Sequence, residues 1–599
     1  MKNKFFTIIA SMALAVGASS CVDLDTTPLD QKSDATMWKT PEDAEQGVTI
    51  LYNYLPDAMW QNDEDVYTDN AVHGIKWAVG QRAHGVWQAT DFSWGTEYQY
   101  IRYANLVFAN IDQVEGLAEA DRNNILGQAH FFRAFIYADL IRQFGDVPYT
   151  EVPLNLEDQD GIVRTDWKEV YDHVMADYDQ AIALLPEYTT PAEGRVNNQI
   201  ARAYKAKIAL YFANPECPHS VADGYQVAAQ NAKAVIDSGH YSLYDEGYSG
   251  DAKNYNGKYA EMFWDLNGVT SPEALLVKVS SVSLGTGTNF IGFEAFPKVG
   301  WGGLNPTQSY VDCFEDCAGA PIAESKVYDP LKPNVNRDPR LNVNVIFDGD
   351  LMFPDFQFRV KNVNYTPGGQ EPETVTTQGI TVRTKPLPSS DVRGLYGLTQ
   401  ESCGDATLTG YQAKKWLDPA VNPEAGGWKH NASPACMRFA EVLLMYAEAM
   451  NEMSDRPQEA FDAVNRVRAR VGMPALQKTD ASLPTYCGSQ DALRQRIRNE
   501  WRVEFGFEGD HRQWDARRWN IATDVLNADR YPYKYKVYSD PANAYPVDNG
   551  MVCDIYVADG EQPAITNQII RYSAHNYLFP IPQSQIDLNP NLTQNPGYN

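Results

Sequence analysis

The sequence predicts a mainly α-helical protein whose helical scaffold is interrupted by one large irregular insertion. Between positions 41 and 239, and again between 437 and 507, apolar side chains recur every three or four residues, which is the spacing of one buried helix face. Between about 241 and 434 the chain is instead rich in Gly, Pro, Thr, Asn and Val. Short alternating runs, typical of strands, occur there at 274–279, 342–347 and 379–383. We therefore expect helices on both sides of a segment of loops and short strands.

Six helices are expected before the insertion, with recognisable start and stop signals. The clearest covers 122–144, where Phe132 and Ile136 lie on one apolar stripe and Gly145 and Pro148 mark the end. The other five are expected at 41–55, 94–114, 167–185, 197–213 and 224–237. Successive antiparallel helix pairs of this length indicate a scaffold of the tetratricopeptide type, although the 34-residue repeat consensus of that type is poorly kept.

Helices return after the insertion and complete the predicted organisation. They are expected at 437–453, 457–471 and 491–507. The chain is thus divided into a signal segment at 1–20, a helical part at 21–240, the irregular insertion at 241–434, returning scaffold helices at 435–525 and an irregular C-terminal segment at 526–599.

The N-terminal residues have the pattern of an exported chain. Lys2 and Lys4 precede an apolar run at 5–16, and small residues then lead to Cys21. This run is too short for a membrane span and is typical of a signal peptide. The position of Cys21 resembles that of the lipid-modified cysteine of bacterial lipoproteins, with Ala18 where Leu is common. We expect lipidation of Cys21 to tether the mature chain to a membrane; an ordinary signal peptide followed by a cysteine is the alternative.

Charge and composition narrow the choice of partner. The chain carries 78 acidic against 50 basic residues, a net charge of −28, which argues against nucleic acid because phosphate binding needs a basic face. Aromatic residues make up 12% of the chain, and many of them will be core. Such a supply of rings also suits stacking on flat, weakly charged ligands such as sugars.

Motifs of enzymes, metal sites and cofactor sites are not found in the sequence. The nine histidines are scattered without an H-E-x-x-H pair, no G-x-S-x-G motif occurs, and the glycines of 285–292 have the wrong spacing for a dinucleotide loop. We therefore expect no catalytic residue, no metal and no cofactor. The acids and arginines between Glu500 and Arg518 are expected to pair and pin a helix to its neighbours rather than to act as an acid–base pair. Cys313 and Cys317 could form a local bridge or remain free thiols.

Seven segments together carry a family resemblance. They are 21–28 (CVDLDTTP), 133–148 (RAFIYADLIRQFGDVP), 234–241 (AVIDSGHY), 438–449 (RFAEVLLMYAEA), 464–470 (VNRVRAR), 500–519 (beginning EWRVEFGFEG and ending RRW) and 579–598 (beginning FPIP). In this order they resemble the SusD/RagB family of nutrient-binding lipoproteins of the Bacteroidetes outer membrane. Together they span the whole chain.

The resemblance implies tetratricopeptide-like helix pairs carrying a large irregular insertion, with the C-terminal family region at about 270–599. It also implies a non-enzymatic, lipid-anchored protein, exposed at the cell surface, that caps a SusC-like TonB-dependent transporter in the outer membrane. We therefore expect a lipoprotein that binds an extracellular oligo- or polysaccharide and delivers it to that transporter. The alternative is a peptide-binding uptake lipoprotein of the RagB type. A surface glycoside hydrolase is the least favoured, because no segment suggests its pair of carboxylates.

Ligand contacts are expected in two aromatic-rich stretches, 60–94 and 290–301, and at a further tryptophan between glycines and a lysine. Sugars stack on aromatic rings and bond to the polar side chains beside them. By position, both stretches resemble parts of the family that contribute to its ligand face. Packing is the alternative, and Trp94 is expected in the core. The expected ligand-binding residues are Asp69, Asn70, Trp77, Arg82, Trp87, Phe296, Trp301 and Trp428.

Overall fold

The computed structural model describes most of the helical scaffold, the C-terminal tail and parts of the insertion. The described residues are 37–56, 63–74, 85–154, 161–264, 268–279, 303–329, 332–347, 409–417, 433–509, 511–531 and 569–598, together with short strand pairs between 350 and 396 and between 545 and 553.

Among the described helices, long scaffold helices precede and follow the short helices of the insertion, and further short helices lie towards the C-terminus. They are α1 (Pro41–Thr49), α2 (Gly95–Asn110), α3 (Glu119–Phe144), α4 (Trp167–Leu184), α5 (Asn198–Tyr211), α6 (Gly224–Ser238), α7 (Glu261–Trp264), α8 (Gln308–Cys313), α9 (Arg340–Asn344), α10 (Phe439–Met453), α11 (Gln458–Ala469), α12 (Gln490–Phe505), α13 (His511–Arg518), α14 (Ala522–Val525) and α15 (Gln583–Leu588).

The long helices stack in chain order. From α2 to α6 each helix packs against the next, and α10 packs against α6, so the chain leaves the stack after α6 and re-enters it beside the same helix. α11 then packs against α10, and α12 also contacts α10. The mainly helical scaffold of successive helix pairs is confirmed.

Local signals explain where these helices begin and end. Thr40 and Asp43 form a capping box at the start of α1, and the side chains of Asp166 and Asn197 accept backbone N–H groups in the first turns of α4 and α5. α3 ends at Gly145, whose φ of 71° favours glycine. The first predicted helix is shorter than expected, because a 3₁₀ helix at Ile50–Tyr54 follows α1.

α3 lies at the centre of the main hydrophobic core. Its side chains Phe131, Phe132 and Ile136 are fully buried. A Cβ added to Gly127 would lie 2.8 Å from the side chain of Leu185, so α3 and the end of α4 approach closely at this point. The long predicted helix at 122–144 is therefore the element around which the neighbouring helices pack.

The described strands are short and pair in twos. They are β1 (Ala71–His73), β2 (Ala274–Val277), β3 (Leu304–Pro306), β4 (Val345–Ile346), β5 (Leu351–Met352), β6 (Phe356–Gln357), β7 (Arg359–Val360), β8 (Thr374–Thr377), β9 (Ile380–Arg383), β10 (Leu395–Tyr396), β11 (Gln412–Ala413), β12 (Ala435–Arg438), β13 (Tyr545–Pro546) and β14 (Val552–Cys553). The pairs are β1–β3, β2–β12, β4–β11, β5–β6, β8–β9 and β13–β14, all antiparallel, and the parallel pair β7–β10.

The insertion departs from the prediction in one respect: it contains the short helices α7, α8 and α9 as well as strands. The alternating run at 342–347 is only partly a strand, because α9 continues to Asn344 before β4 begins. Arg340, at the start of α9, is fully buried and bonded to Asp338 and Glu500. Glu500 lies 160 positions further along the chain, and such a distant partner leaves no periodic pattern in the local sequence.

A second, smaller core lies under the insertion and links it to the end of α12. Tyr310 and Phe314 pack edge-on at 5.2 Å between ring centroids, and Phe507 lies 4.7 Å from Tyr310. Leu341 and Val345 are fully buried in the same cluster. Within the described part of the chain, no helix has both the length and the apolar character needed to cross a membrane.

Candidate functional site

The structure places three of the residues predicted to contact a ligand. Asp69, Asn70 and Trp87 lie within the described chain. The other predicted contacts and the lipidation site lie outside the described residues and stay predictions. They are Cys21, Trp77, Arg82, Phe296, Trp301 and Trp428.

The strands β1 and β3 connect the two parts of the chain in which ligand contacts are predicted. The two strands pair antiparallel, and beyond them the N–H of Gly74 donates to the carbonyl oxygen of Gly303 over 2.7 Å. In the sequence, Trp77 comes shortly after Gly74, and Trp301 comes shortly before Gly303. The two predicted stretches therefore join the described fold at adjacent points.

Asp69, just before β1, is committed to ion pairs inside the fold. Arg512 donates through Nε and Nη2 to its two carboxylate oxygens at 2.7 and 2.8 Å, and Arg502 Nη2 lies 3.0 Å from Oδ2. Burial of the carboxyl group acts to raise its pKa, but the two guanidinium groups outweigh burial and lower the pKa of Asp69 to about 2. Asp69 is thus a buried carboxylate held by α12 and α13.

Asn70 is equally enclosed. Its Nδ2 donates to Asp65 Oδ1 over 2.9 Å, its Oδ1 accepts from Arg502 Nε over 2.7 Å, and its side chain is fully buried. Arginines from a distant part of the chain thus bind both Asp69 and Asn70, which speaks against a ligand contact for these two predicted residues. These two residues support the loop that leads into β1, and we leave them out of the proposed ligand face.

Trp87 lies in an aromatic cluster on the tail side of the scaffold. Its ring is half-buried and packs edge-on against Phe579 at 4.9 Å and Tyr572 at 5.9 Å between centroids. The guanidinium of Arg517 lies 5.3 Å from the centroid of the same ring. Trp87 is thus held in place by packing while part of its ring remains exposed. Trp94, expected in the core, is 2% exposed, which confirms that expectation.

The acids and arginines of α12 and α13 form buried ion pairs, as expected from the sequence. Arg340 donates through Nη1 to Glu500 at 2.5 Å and to Glu504 at 3.0 Å, and both Arg438 and Arg470 also pair with Glu504. Burial acts to raise the pKa of Glu504, but the surrounding cations lower it well below its usual range. Because this carboxyl group is ionised and fully paired, it is poorly suited to donate a proton in catalysis.

The part of the chain that the structure describes contains no cluster of metal ligands, and its Cys313 and Cys317 are not bridged. It contains no group of three or more His, Cys, Asp or Glu side chains placed to hold a metal ion. Cys313 and Cys317 are both free thiols, so these two do not form the local bridge that their spacing allowed.

A cavity of about 510 Å³ lies between α3, α5, α10, α12 and α13. We call this space the scaffold cavity. Its wall contains the aromatic side chains Tyr54, Phe135, Tyr204, Tyr211, Trp501 and Trp514. The sequence pattern does not single these rings out, because apolar residues at helical spacing predict packing. A sequence signal for the cavity was nevertheless available, because the same helices carry the charged residues Asp139, Lys207 and Glu441.

The charged groups of the scaffold cavity are arranged in pairs. Glu441, which is 1% exposed, lies 2.9 Å from Lys207 Nζ, and His511 Nε2 lies 3.9 Å from its other carboxylate oxygen. Burial and the nearby cations lower the pKa of His511 well below its usual value, so this imidazole is neutral at pH 7. Across the cavity wall Asp139 pairs with Arg142 at 2.5 Å.

Comparison with known proteins identifies the family. A family model described as "SusD family" matches residues 278–598, which is more than half of the chain. The chain belongs to the SusD family. A second family model, described as "Starch-binding associating with outer membrane", matches residues 27–210.

Members of the SusD family similar to this chain span nearly its full length. SusD-like protein P25 of Formosa agariphila is 23% identical over 91% of this chain and 94% of its own. A SusD-like carbohydrate binding protein from Bacteroides fragilis superimposes with a TM-score of 0.72 at 21% identity, covering 93% of this chain and 99% of that one. Surface glycan-binding protein A from Bacteroides thetaiotaomicron, solved with laminarihexaose, gives a TM-score of 0.60 at 16% identity, covering 93% and 100%. The SusD-like fold is therefore common to this chain and the two solved structures.

Proposed function

We propose that this chain binds an extracellular oligo- or polysaccharide and delivers it to a SusC-like TonB-dependent transporter, without covalent chemistry. Membership of the SusD family carries this proposal, since two solved structures of the same fold are named for carbohydrate or glycan binding. The ion pairs of Glu500 and Glu504 on α12 support binding rather than hydrolysis by these acids, because a glycosidase needs one carboxyl group free to give up a proton.

We place the protein at the surface of the outer membrane, anchored by a lipid on Cys21. The signal-peptide pattern before Cys21 supports this location. The description of the second family model, which matches the N-terminal part of the chain, also refers to the outer membrane. Co-purification from solubilised outer membranes tests the partner: the intact chain should bring down a TonB-dependent transporter, and Cys21→Ser should leave the membrane fraction. Retention of Cys21→Ser by membranes of a strain that lacks the transporter would overturn the anchor.

The proposed ligand face consists of Trp77, Arg82, Trp87, Phe296, Trp301 and Trp428. The bond between Gly74 and Gly303 supports grouping the first and second stretches, because it holds their attachment points together. Trp87 supplies a ring that is fixed by Phe579 and Tyr572 yet partly exposed, which is the arrangement a stacking platform for a sugar needs.

Affinity electrophoresis tests the ligand class. Lipid-free protein beginning at Asp23 would be run through gels containing plant, microbial and host polysaccharides, and each mixture would be assayed for released reducing sugar. We expect retardation by at least one glycan without sugar release. Release of sugar would show hydrolysis, and retardation by none combined with binding to peptides would favour the peptide-uptake alternative.

Tryptophan variants test the ligand face. Trp77→Ala and Trp87→Ala should each reduce retardation, because a stacked ring contributes about 1 kcal/mol beyond its buried area, or roughly fivefold in affinity. Trp167→Ala is the matched control, since Trp167 is also half-buried but stacks on Phe212 at 5.1 Å, outside the proposed face. Unchanged retardation of both ligand-face variants would remove these two residues from the site.

A further inference from the structure

The scaffold cavity has the size and wall of a small-molecule site. Its volume of about 510 Å³ lies in the range of roughly 300–1,000 Å³ found for ligand pockets. Such pockets combine apolar and aromatic walls with a few polar groups. Here the aromatic wall includes Trp501 and Trp514, and the polar groups include Glu441 and His511.

The pairing of charges in the wall favours a ligand without net charge. Each lysine and arginine in the cavity's described wall has a carboxylate within 2.9 Å, in the pairs Arg142–Asp139, Lys207–Glu441, Arg438–Glu508 and Arg518–Asp515. A charged ligand would have to compete with one of these pairs, which costs desolvation energy. An uncharged ligand can bond to the carboxylate oxygens without breaking the pairs.

The polar groups of the wall suit hydroxyl groups. The carboxylate of Glu441 has lone pairs beyond its contact with Lys207 and sits beside the neutral ring of His511. Trp501 is 3% exposed, and its indole N–H finds no acceptor among the residues that the structure describes. A hydroxyl group can donate to a carboxylate and accept from an indole N–H, so a polyhydroxylated molecule matches both kinds of group.

A row of aromatic rings leads from the surface of α2 to the cavity. Tyr103 contacts Tyr100 at 5.6 Å between ring centroids, Tyr100 contacts Tyr54 at 5.3 Å, and Tyr54 contacts Phe135 at 5.9 Å. Phe135 in turn contacts Tyr204 at 5.2 Å. Tyr100 and Tyr103 are half-buried on α2, whereas the last three rings line the cavity. These contacts are edge-on or tilted, so the rings form an apolar path along which a sugar ring can meet successive ring faces and edges.

We infer that the scaffold cavity, whose wall does not include Trp87, binds a small uncharged saccharide of mono- or disaccharide size. The sugar ring would stack on the aromatic wall, while its hydroxyl groups donate to Glu441 and accept from Trp501. This inference rests on the proposed function for the supply of saccharides at this protein. The cavity site would then respond to short sugars while the ligand face holds the polymer.

Isothermal titration of the lipid-free chain tests the inference. The probes are glucose, cellobiose, laminaribiose and maltose, with glucuronic acid and glucosamine as charged counterparts. At least one neutral probe should bind, and neither charged probe should bind more tightly than glucose. Ala138→Trp should abolish this binding, because Ala138 on α3 lines the cavity and an indole would fill it. Ala120→Trp, the same change at an exposed position of α3, is the control and should bind normally.

A second variant and a chemical probe test the inference in case Ala138→Trp does not fold. Glu441→Gln keeps the shape but removes the charge, and should weaken the neutral probe roughly tenfold. The bound sugar should also slow the modification of Cys436, a cysteine in the cavity wall, by iodoacetamide. Cys217, which lines a separate cavity of about 190 Å³, should react at an unchanged rate.

The outcomes separate the cavity from the ligand face. If a polysaccharide retards the chain but no neutral sugar gives heat, or if Ala138→Trp folds and binds unchanged, the cavity inference is overturned and the proposed function stands. If short sugars bind in the cavity but no polysaccharide retards the chain, the proposed polymer binding is overturned instead. Loss of short-sugar binding in Ala138→Trp, with intact retardation of that variant by a polysaccharide, supports both the cavity inference and the proposed function.

Discussion

At the scale of single residues, the pKa values of two neighbouring aspartates before β1 are shifted in opposite directions. Burial raises the pKa of Asp65 to about 6, although the N–H of Phe507 and the side chain of Asn70 donate to its oxygens. Burial acts in the same direction on Asp69, but Arg502 and Arg512 lower the pKa of Asp69 to about 2. The number of arginines bound to each carboxylate decides which effect prevails.

This difference gives a pH-dependent prediction for Asp69. The pKa of Asp69 is lower in the folded chain than in the unfolded chain, so its ionisation stabilises the fold above about pH 4, by about 2 kcal/mol. That contribution is lost as the pH falls from about 4 to about 2. Asp69→Asn should therefore have a lower free energy of unfolding at pH 7, and its deficit should shrink towards pH 2. Urea unfolding across this pH range measures the difference.

Asp455→Asn is the control for Asp69, because Asp455 also pairs with an arginine, Arg456, but is largely exposed. Exposed ion pairs contribute little to stability. We expect this variant to unfold like the parent chain throughout. A deficit of Asp69→Asn that stays constant from pH 7 to pH 2 would contradict the assignment of the ion pairs to the folded state.

At the scale of secondary structure, apolar periodicity and capping residues were enough to predict the long helices. The helix predicted at 122–144 is α3 (Glu119–Phe144), and that predicted at 167–185 is α4 (Trp167–Leu184). Apolar residues recur at helical spacing in both helices, and α3 ends at Gly145, so the pattern that forms them is local. The short helices of the insertion were missed because they depend on tertiary partners, as α9 does on the contacts of Arg340.

The site was less predictable than the helices for the same physical reason. Asp69 and Asn70 stand among aromatic residues in a connecting stretch, which predicts exposure to a ligand. Their arginine partners, Arg512 and Arg502, lie 443 and 432 positions further along the chain. No local pattern reveals a partner so distant. The scaffold cavity could not be predicted from the sequence either, because its aromatic wall residues recur at the helical spacing of an ordinary core.

At the scale of the whole molecule, the C-terminal tail forms hydrogen bonds with the end of α3 and the segment that follows it. Arg164 donates to the carbonyl of Thr593 at 2.8 Å and to Asn595 Oδ1 at 2.6 Å. Asn595 Nδ2 donates to the carbonyls of Phe144 at 2.9 Å and Phe579 at 2.7 Å. The ring of Phe579 also supports Trp87 in the proposed ligand face. The position of Trp87 therefore depends on the tail as well as on its own loop.

Replacing Asn595 tests this role of the tail. Asn595 is 2% exposed, and Asn595→Ala would leave two buried carbonyl groups and the guanidinium of Arg164 short of a partner. Each unsatisfied buried group costs about 1–3 kcal/mol, so the variant should unfold at a clearly lower urea concentration, as followed by circular dichroism. Asn591→Ala, an exposed position of the same tail, should unfold like the parent chain. If Trp87 contacts the glycan, polysaccharide gels should retard Asn595→Ala less than Asn591→Ala, because loosening of the tail displaces Phe579. Equal stability of the two variants would show that the tail does not hold the scaffold together.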